Sequence, residues 1–264
     1  MTTLAMRTAL DFRPTNVYGV WLRHWLAFKG GWLIDSTAII IEPLFVLLAV
    51  GFGIGKFVED IQGNLSYQEF VAPGIIAANA MWPALFNCSW GAYQRMENHK
   101  IYETMISAPV NLSELAAGEI VWGATRAAMT TAAILIVATI LGLISSALAL
   151  LILPLGFLVG LVFGGMGLVY ASIAPTQHSM MLIFTLIGTP IFFFSGAFFP
   201  IDSLHSGLQP IAWAMPLTGA VHVARGLSTG DLGMSHLYGF LYMIGLASVF
   251  YPLSFVLLRR KLII

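Results

Sequence analysis

Any chemistry in this sequence would have to start from a handful of residues, and the most suggestive run is residues 50–57, VGFGIGKF. It imitates a glycine-rich loop that cradles nucleotide phosphates. Val50, however, stands where the first glycine is required, and Phe57 where a Ser or Thr would bind magnesium. The six histidines, His24, His99, His178, His205, His222 and His236, show no HExxH or comparable metal spacing. No serine carries the flanking glycines that an intramembrane serine nucleophile would want. The one cysteine, Cys88, lies in an apolar run and supports neither a disulfide framework nor a cysteine metal site. The sequence therefore predicts no catalytic set, no metal site and no cofactor within this chain. If the chain serves an ATP-driven process, the nucleotide must bind to another polypeptide.

Charge inside apolar runs is more informative, because an ionisable side chain at the centre of a bilayer costs roughly 2.5–3.5 kcal/mol on insertion scales. Glu42 precedes Pro43, while Glu119 and Arg126 are seven residues apart and share one helical face. About 10 Å of helical rise separates those two. A direct pair needs both side chains stretched; otherwise water or a neighbouring helix mediates. Two readings stand for Glu119 and Arg126: a structural ion pair or polar step near an inner mouth, and simple snorkelling to the interface. For Glu42 the functional reading is preferred.

Two further segments are organised around polar or aromatic chemistry. In residues 95–119 (RMENHKIYETMISAPVNLSELAAGE) the first half forms a short amphipathic helix carrying Arg95, Glu97, Lys100 and Glu103, with Ile101, Met105 and Ile106 as its apolar side. Pro109 stops it, and Asn111 or Ser113 offers an N-cap for the next helix. Such a helix is a solvated connector in most proteins, but in a transporter without its own motor it is the surface that receives force. In residues 192–199, Phe192, Phe193, Phe194, Phe198 and Phe199 flank the small residues Ser195, Gly196 and Ala197. This run reads as an aromatic wall with a small-residue notch, favoured as a hydrophobic gate over mere lipid or core packing.

The elements that must position these residues follow from composition. Of 264 residues, 58% are hydrophobic and only 9% charged, against about 25% charged in an ordinary soluble domain. A soluble fold could not cover that much apolar surface, whereas a bilayer removes the need. The net charge of zero argues for no nucleic-acid partner. Apolar segments long enough to cross about 30 Å of hydrocarbon occur at 36–57, 70–93, 116–144, 147–173, 180–199 and 237–258. The fold class predicted is all-α, an integral membrane protein with six transmembrane helices. Arg7, Arg13, Arg23, Lys29, Arg95, Lys100, Arg259, Arg260 and Lys261 all fall on one face of that arrangement. By the positive-inside rule both termini are cytoplasmic.

The first 35 residues lack the compact apolar stretch and cleavage site of a signal peptide. Instead Val17, Tyr18, Trp21, Leu22, Trp25, Phe28 and Trp32 recur at helical spacing among Asn16, Arg23, His24 and Lys29. That pattern predicts a helix lying in the headgroup plane. Gly156, Gly160 and Gly164, and likewise Gly51 and Gly55, form small-residue ladders that let helices approach closely. Between the last two spans, Pro200, Pro210 and Pro216 interrupt an apolar stretch. Residues 200–235 are therefore expected as two short half-helices re-entering from the outer face, with irregular backbone shielded by protein.

Taken in order, these pieces resemble the ABC-2 type permeases, the membrane subunits of type V ABC exporters. The resemblance covers nearly the whole chain. It rests on the N-terminal amphipathic helix, the six spans, and a coupling segment after span two with Tyr102-Glu103 and Ala108-Pro109. It rests also on the run Ser195-Gly196-Ala197-Phe198-Phe199-Pro200 and on the outer stretch from Leu208-Gln209-Pro210 through Pro216-Leu217-Thr218 to Arg225-Gly226. The finer likeness, in residues 118–127 (GEIVWGATRA) and the ending 257–262 (LLRRKL), is to the NodJ-type subunits. A proline that many relatives carry before Gly207 is missing here.

The resemblance implies residues 1–35 as a cytoplasmic N-terminus with its interfacial helix and residues 36–264 as the transmembrane domain, with a coupling segment at 95–115 and an outer re-entrant region at 200–235. It implies Arg95, Glu97, Lys100, Tyr102, Glu103, Met105, Ala108 and Pro109 as the surface that seats in a groove of a NodI-like ABC ATPase, which would bind ATP and Mg. It further implies a homodimer of permeases on two ATPases in a bacterial inner membrane. The substrate would be amphipathic: a lipo-oligosaccharide, a lipid-linked glycan or a hydrophobic drug. An ion-coupled secondary transporter and a membrane assembly scaffold are the competing readings. A membrane-bound enzyme is disfavoured by the missing catalytic set.

Overall fold

The computed structural model describes residues 12–49, 53 and 66–263, and among them every regular element is helical. In chain order the elements are α1 (Pro14–Leu48), α2 (Tyr67–Asn98), α3 (Ile101–Ser107), α4 (Leu112–Ile140), α5 (Ala147–Ile173), α6 (Met180–Phe194), α7 (Gln209–Ala214), α8 (Pro216–Thr229) and α9 (Met234–Ile263). Four of these, α2, α4, α5 and α9, are long and apolar enough to cross a bilayer, and α6 is a shorter apolar helix. The chain is a multi-pass membrane protein. The predicted span at 36–57 is described only through Ala49 and at Gly53. Gly51, Gly55, most of the 50–57 run and the side chain of Glu42 lie outside the described residues.

Local chemistry explains where the helices break. Within α1 only Gly31 leaves helical geometry (φ −124°, ψ 17°), and it divides the amphipathic stretch from the apolar half that follows. Ser66 and Glu69 cap the start of α2 reciprocally, the Ser66 amide donating to Glu69 Oε2 at 3.0 Å. Pro73 and Pro83 then remove backbone donors, and π-helical turns at Asn87–Gly91 and Gln94–Asn98 carry the helix to its end.

That ending differs from the predicted one. Nothing stops the helix at residue 93, so Arg95 and Glu97 belong to the last turn of α2 and not to a separate loop helix. The break comes at Lys100, a left-handed residue at φ 52°, a conformation that costs a non-glycine residue roughly 1–2 kcal/mol. The separate helix α3 is correspondingly short. It stops where Ala108 turns extended ahead of Pro109.

The bundle is held by close backbone approaches. A side chain on Gly156 would strike Thr131, and one on Gly160 would strike Ala124, so α5 lies directly against α4 along the glycine ladder. α9 packs on an adjacent face of α5, where a Cβ at Gly165 would sit 2.8 Å from Phe250. α8 fits between α2 and α9, its Gly219 facing Gly239. The proline-rich stretch forms two short helices, α7 and α8, each with its proline in the first turn. α2 is largely buried, whereas α9 is exposed along most of its length.

Candidate functional site

The functional side chains gather at the end of the bundle where α1, α2, α3 and α4 meet. Glu119, in the second turn of α4, is fully buried. Arg95 grips it from α2, its Nη2 donating to Oε2 at 2.5 Å and its Nε to Oε1 at 3.1 Å. From α1, His24 Nε2 lies 3.0 Å from Oε1 and Arg23 Nη2 3.4 Å from the same oxygen. Arg95 also donates to the Asn87 carbonyl at 3.0 Å. One carboxylate thus ties three helices together, with bidentate geometry on the arginine that matters most. Burial lowers the basicity of His24, and its Nε2 sits between the Glu119 carboxylate and the Arg23 guanidinium, 3.0 Å from each. The ring also stacks on Trp122, centroids 5.6 Å apart.

From sequence two readings stand for Glu119 and Arg126, an ion pair or polar step and snorkelling; the contacts that hold Glu119 come from Arg95 of α2 and from Arg23 and His24 of α1. Arg126 instead lays its guanidinium 4.8 Å over Phe28 of α1, within an aromatic row that includes Trp21, Trp25 and Trp122. Trp21 Nε1 donates to Thr125 Oγ1 at 3.0 Å. Both residues therefore fasten α1 to α4.

A second carboxylate, Glu114, was not singled out from the sequence. It is fully buried and receives the Arg13 amide at 2.6 Å, Asn16 Nδ2 at 2.7 Å and the Asn111 amide at 2.8 Å. Asn111 and Glu114 form a capping box at the start of α4. Asn16 Nδ2 also donates to the Pro109 carbonyl at 2.9 Å, so the start of α1 clamps the stretch leaving α3. The S/T/N-x-x-E spacing at 111–114 was the available signal, but nothing in it announced the bonds to α1.

The predicted coupling residues consequently divide. Glu103, Lys100, Ala108 and Pro109 are exposed, and Glu97 and Met105 are partly so. Lys100 Nζ bridges Glu103 at 3.1 Å and Glu97 at 3.8 Å, and the Glu103 hydrogen bond raises the lysine pKa. Tyr102 and Arg95 face the other way. Tyr102 is fully buried, and its phenol pKa is pushed far up by burial and then by Glu119. Tyr102 offers no surface to a partner, and Arg95 keeps only 15% of its side chain exposed.

At the opposite end, Phe192, Phe193 and Phe198 form a triangle of ring contacts at 5.3–5.7 Å. Trp82 of α2 closes it at 5.6 Å from Phe192. Among the described residues Phe194 and Phe199 make no ring contact with that stack. Ser195 is buried and donates to the Phe192 carbonyl at 2.9 Å. The loop after α6 is pinned to α2 by Arg225 of α8, which lies 3.7 Å over Phe70 and donates to the carbonyls of Gly196 (2.9 Å) and Phe70 (3.3 Å). Tyr67 adds a hydroxyl bond to the Phe198 carbonyl at 3.1 Å. Sequence reading placed Arg225 in the outer stretch that carries the resemblance, without a contact, and did not single out Trp82. His222 and His236 stack at 4.2 Å beside this region.

Comparison with known proteins agrees with these features. Residues 15–228 match the family model described as ABC-2 type transporter. Nodulation protein J of Rhizobium leguminosarum bv. trifolii is 34% identical over 258 residues, covering 97% of both chains. Nodulation protein J of Neorhizobium galegae is 29% identical over 258 residues, covering 96% of this chain and 97% of its own. The daunorubicin resistance ABC transporter permease protein DrrB1 of Streptomyces coeruleorubidus is 23% identical over 267 residues, 97% of this chain and 89% of the relative. With a helical membrane bundle, a charged hub at one end of it and a family match spanning most of its length, the chain belongs to the ABC-2 type transporter family, among permeases of the NodJ type.

Proposed function

We propose that this chain is the membrane-spanning subunit of an ATP-driven exporter whose ATPase is a separate polypeptide, and that α3 is the element the ATPase pushes. The observation that carries the reading is the construction of α3. It is a short helix with Lys100 and Glu103 exposed, hung from a left-handed residue, with Tyr102 fully buried beside the Arg95–Glu119 pair that joins α2 to α4. A load on the exposed side is delivered to buried charges that grip three other helices. A solvated connector needs no such anchorage.

On this reading residues 36–57 and 180–199 complete six spans, and both termini and α3 face the cytoplasm of a bacterial inner membrane. α7 and α8 form the outer re-entrant region. Two copies pair over two ATPase subunits, which bind ATP and Mg, and the path runs along the pair's axis toward the aromatic stack of Phe192, Phe193 and Phe198. Phe194, Ser195 and Phe199 border that outer gate, and Glu42 is a polar step in the first span. The cargo is amphipathic, with a lipid or hydrophobic portion, moved from the cytoplasmic side or inner leaflet outward. ATP binding shifts the balance between inward- and outward-open states by favouring one of them.

The test is Glu103→Lys in the complex purified from its native membranes. A separate ATPase should co-purify with the wild type, and the variant should insert and pair normally while losing cargo-stimulated ATP hydrolysis. Recovery of the wild-type chain alone in several mild detergents would favour an ion-coupled transporter or scaffold. Unchanged stimulation in the variant would remove α3 from the coupling role.

A further inference from the structure

Three cations end the chain, and the positive-inside rule treats them alike. The structure does not. Arg259 and Arg260 are exposed, whereas the Lys261 side chain is only 18% exposed and is turned inward. Its Nζ donates to the carbonyls of Ala174 (3.0 Å) and Ala171 (3.2 Å) at the end of α5, lies 3.4 Å from Glu97 Oε1, and sits 4.8 Å over the Tyr93 ring. An ammonium has three protons to give; two carbonyls take two of them here, and the Glu97 carboxylate lies beside it as an ion-pair partner. Ala171 lies in the last turn of α5 and Ala174 is the extended residue that caps it, where acceptors have no helical donor and the dipole favours a cation. Tyr93 and Glu97 belong to the last two turns of α2, immediately before the break at Lys100. Nearby, Asn98 Nδ2 donates to Gln177 Oε1 at 3.0 Å, repeating the link between the end of α2 and the chain after α5.

Arg95 and Glu97 are two residues apart on the same turn and are held from different sides. Arg95 is bound to Glu119, and so to α4 and α1. Glu97 is bound to Lys261, and so to α9 and α5. From Glu97 an ion chain continues through Lys100 to Glu103 on the exposed side of α3.

We infer that Lys261 is a positioning residue for transport: it locks the inner ends of α5 and α9 to the turn of α2 that carries α3, so that a displacement of α3 moves them with it. The inference rests on the proposed role of α3 as the element the ATPase pushes. Without Lys261 the load still reaches α1 and α4 through Arg95, but the inner ends of α5 and α9 are joined to that turn of α2 by packing and the Asn98–Gln177 bond and no longer by an ion pair.

The test uses spin labels at Thr104→Cys on α3 and Arg259→Cys on α9, both exposed sites, with Cys88 fully buried and silent. Distances are measured in nanodiscs on the permease alone, and on the complex with its co-purified ATPase with and without ATP–vanadate. The labelled parent should give one narrow distance that trapping leaves unchanged. Lys261→Met should broaden it in the permease alone, and in the complex trapping should now change the separation because α3 moves without α9. Lys261→Arg should restore the parent behaviour, and Glu97→Gln, with the lysine intact, should reproduce the Met phenotype in milder form. A merely structural lysine would lower thermal stability and leave the distances of the folded variant as in the parent, which overturns the inference. A parent distance that itself changes on trapping also overturns it. If no ATPase co-purifies, the proposed function fails, while the permease-alone broadening still decides whether the lock exists.

Discussion

Breaking the Arg95–Glu119 pair should cost far more than breaking both halves of it together should suggest. Glu119 is fully buried, Arg95 is 15% exposed, and two hydrogen bonds of 2.5 and 3.1 Å join them. Removing one partner of a buried pair leaves an uncompensated charge, which costs about 3–5 kcal/mol, whereas removing both leaves only Arg23, 31% exposed and partly solvated, beside a neutral site. Glu119→Gln and Arg95→Met should therefore each destabilise by about that amount, and the double variant by no more than either single one. The coupling energy expected is thus about 3 kcal/mol or more, against about 0.2–1 kcal/mol for an exposed pair. Reversible unfolding in mixed micelles, followed by tryptophan fluorescence, reads it out; Trp122 stacks directly on His24 within the cluster. Additive single effects, within about 0.5 kcal/mol, would refute the reasoning. They would mean that the pair is solvated and that Arg95 holds α2 through the Asn87 carbonyl instead.

Other perturbations separate the parts of the molecule. Glu114→Gln, which weakens the acceptor for the Arg13 and Asn16 donors, should cost about 1–3 kcal/mol and open the start of α1 to limited proteolysis, while α4 stays protected. Phe192→Ala should cost about 3–5 kcal/mol because the ring is buried at the centre of the stack. Phe194→Ala, at a 38% exposed ring, should leave stability nearly unchanged and alter export only, measured as cargo efflux beside a thermal melt. His222 is held near pKa 4 by burial, then by His236 and Arg225, below its ordinary 6.5. The folded ring stays neutral where the unfolded one takes a proton, so stability is full above pH 6.5 and falls as pH drops from 6.5 toward 4. His222→Gln should flatten that slope, and an equal slope in both proteins would remove His222 as its cause.

What the sequence made legible was whatever depends on composition and local pattern. The apolar runs announced α2, α4, α5 and α9, since length and hydropathy alone decide whether a helix can cross a bilayer. Pro200, Pro210 and Pro216 announced an interrupted stretch because a ring nitrogen cannot donate, and α7 and α8 begin at two of them. The glycines of α5 announced close contact, and α4 lies there. Partners separated by a hundred residues left no such trace. His24 and Arg23 looked like the polar side of an interfacial helix, and Glu119 looked nearest to Arg126 because seven residues make two turns. Only the docking of α1 on α4, where Val20 fills the space left by Gly118, brings the former pair within reach of Glu119.

The same limit explains why the segment 95–109 was read as one helix with one exposed side. Amphipathic spacing cannot reveal a left-handed residue in its midst, and Lys100 is that residue. On the proposed reading, the break gives the segment two functions in sequence. Arg95 and Glu97 stay with α2 and are each held by a buried or half-buried partner, Glu119 and Lys261. Glu103, beyond the break, stays free for contact from outside. A helix meant to receive force must be firmly anchored at one end and exposed at the other. A break between the two lets the exposed part meet a partner at its own angle while the anchored part keeps the register of the bundle. The strain at Lys100 is the local cost of that division, and it falls on the one residue whose side chain bridges both parts, to Glu97 on one side and Glu103 on the other.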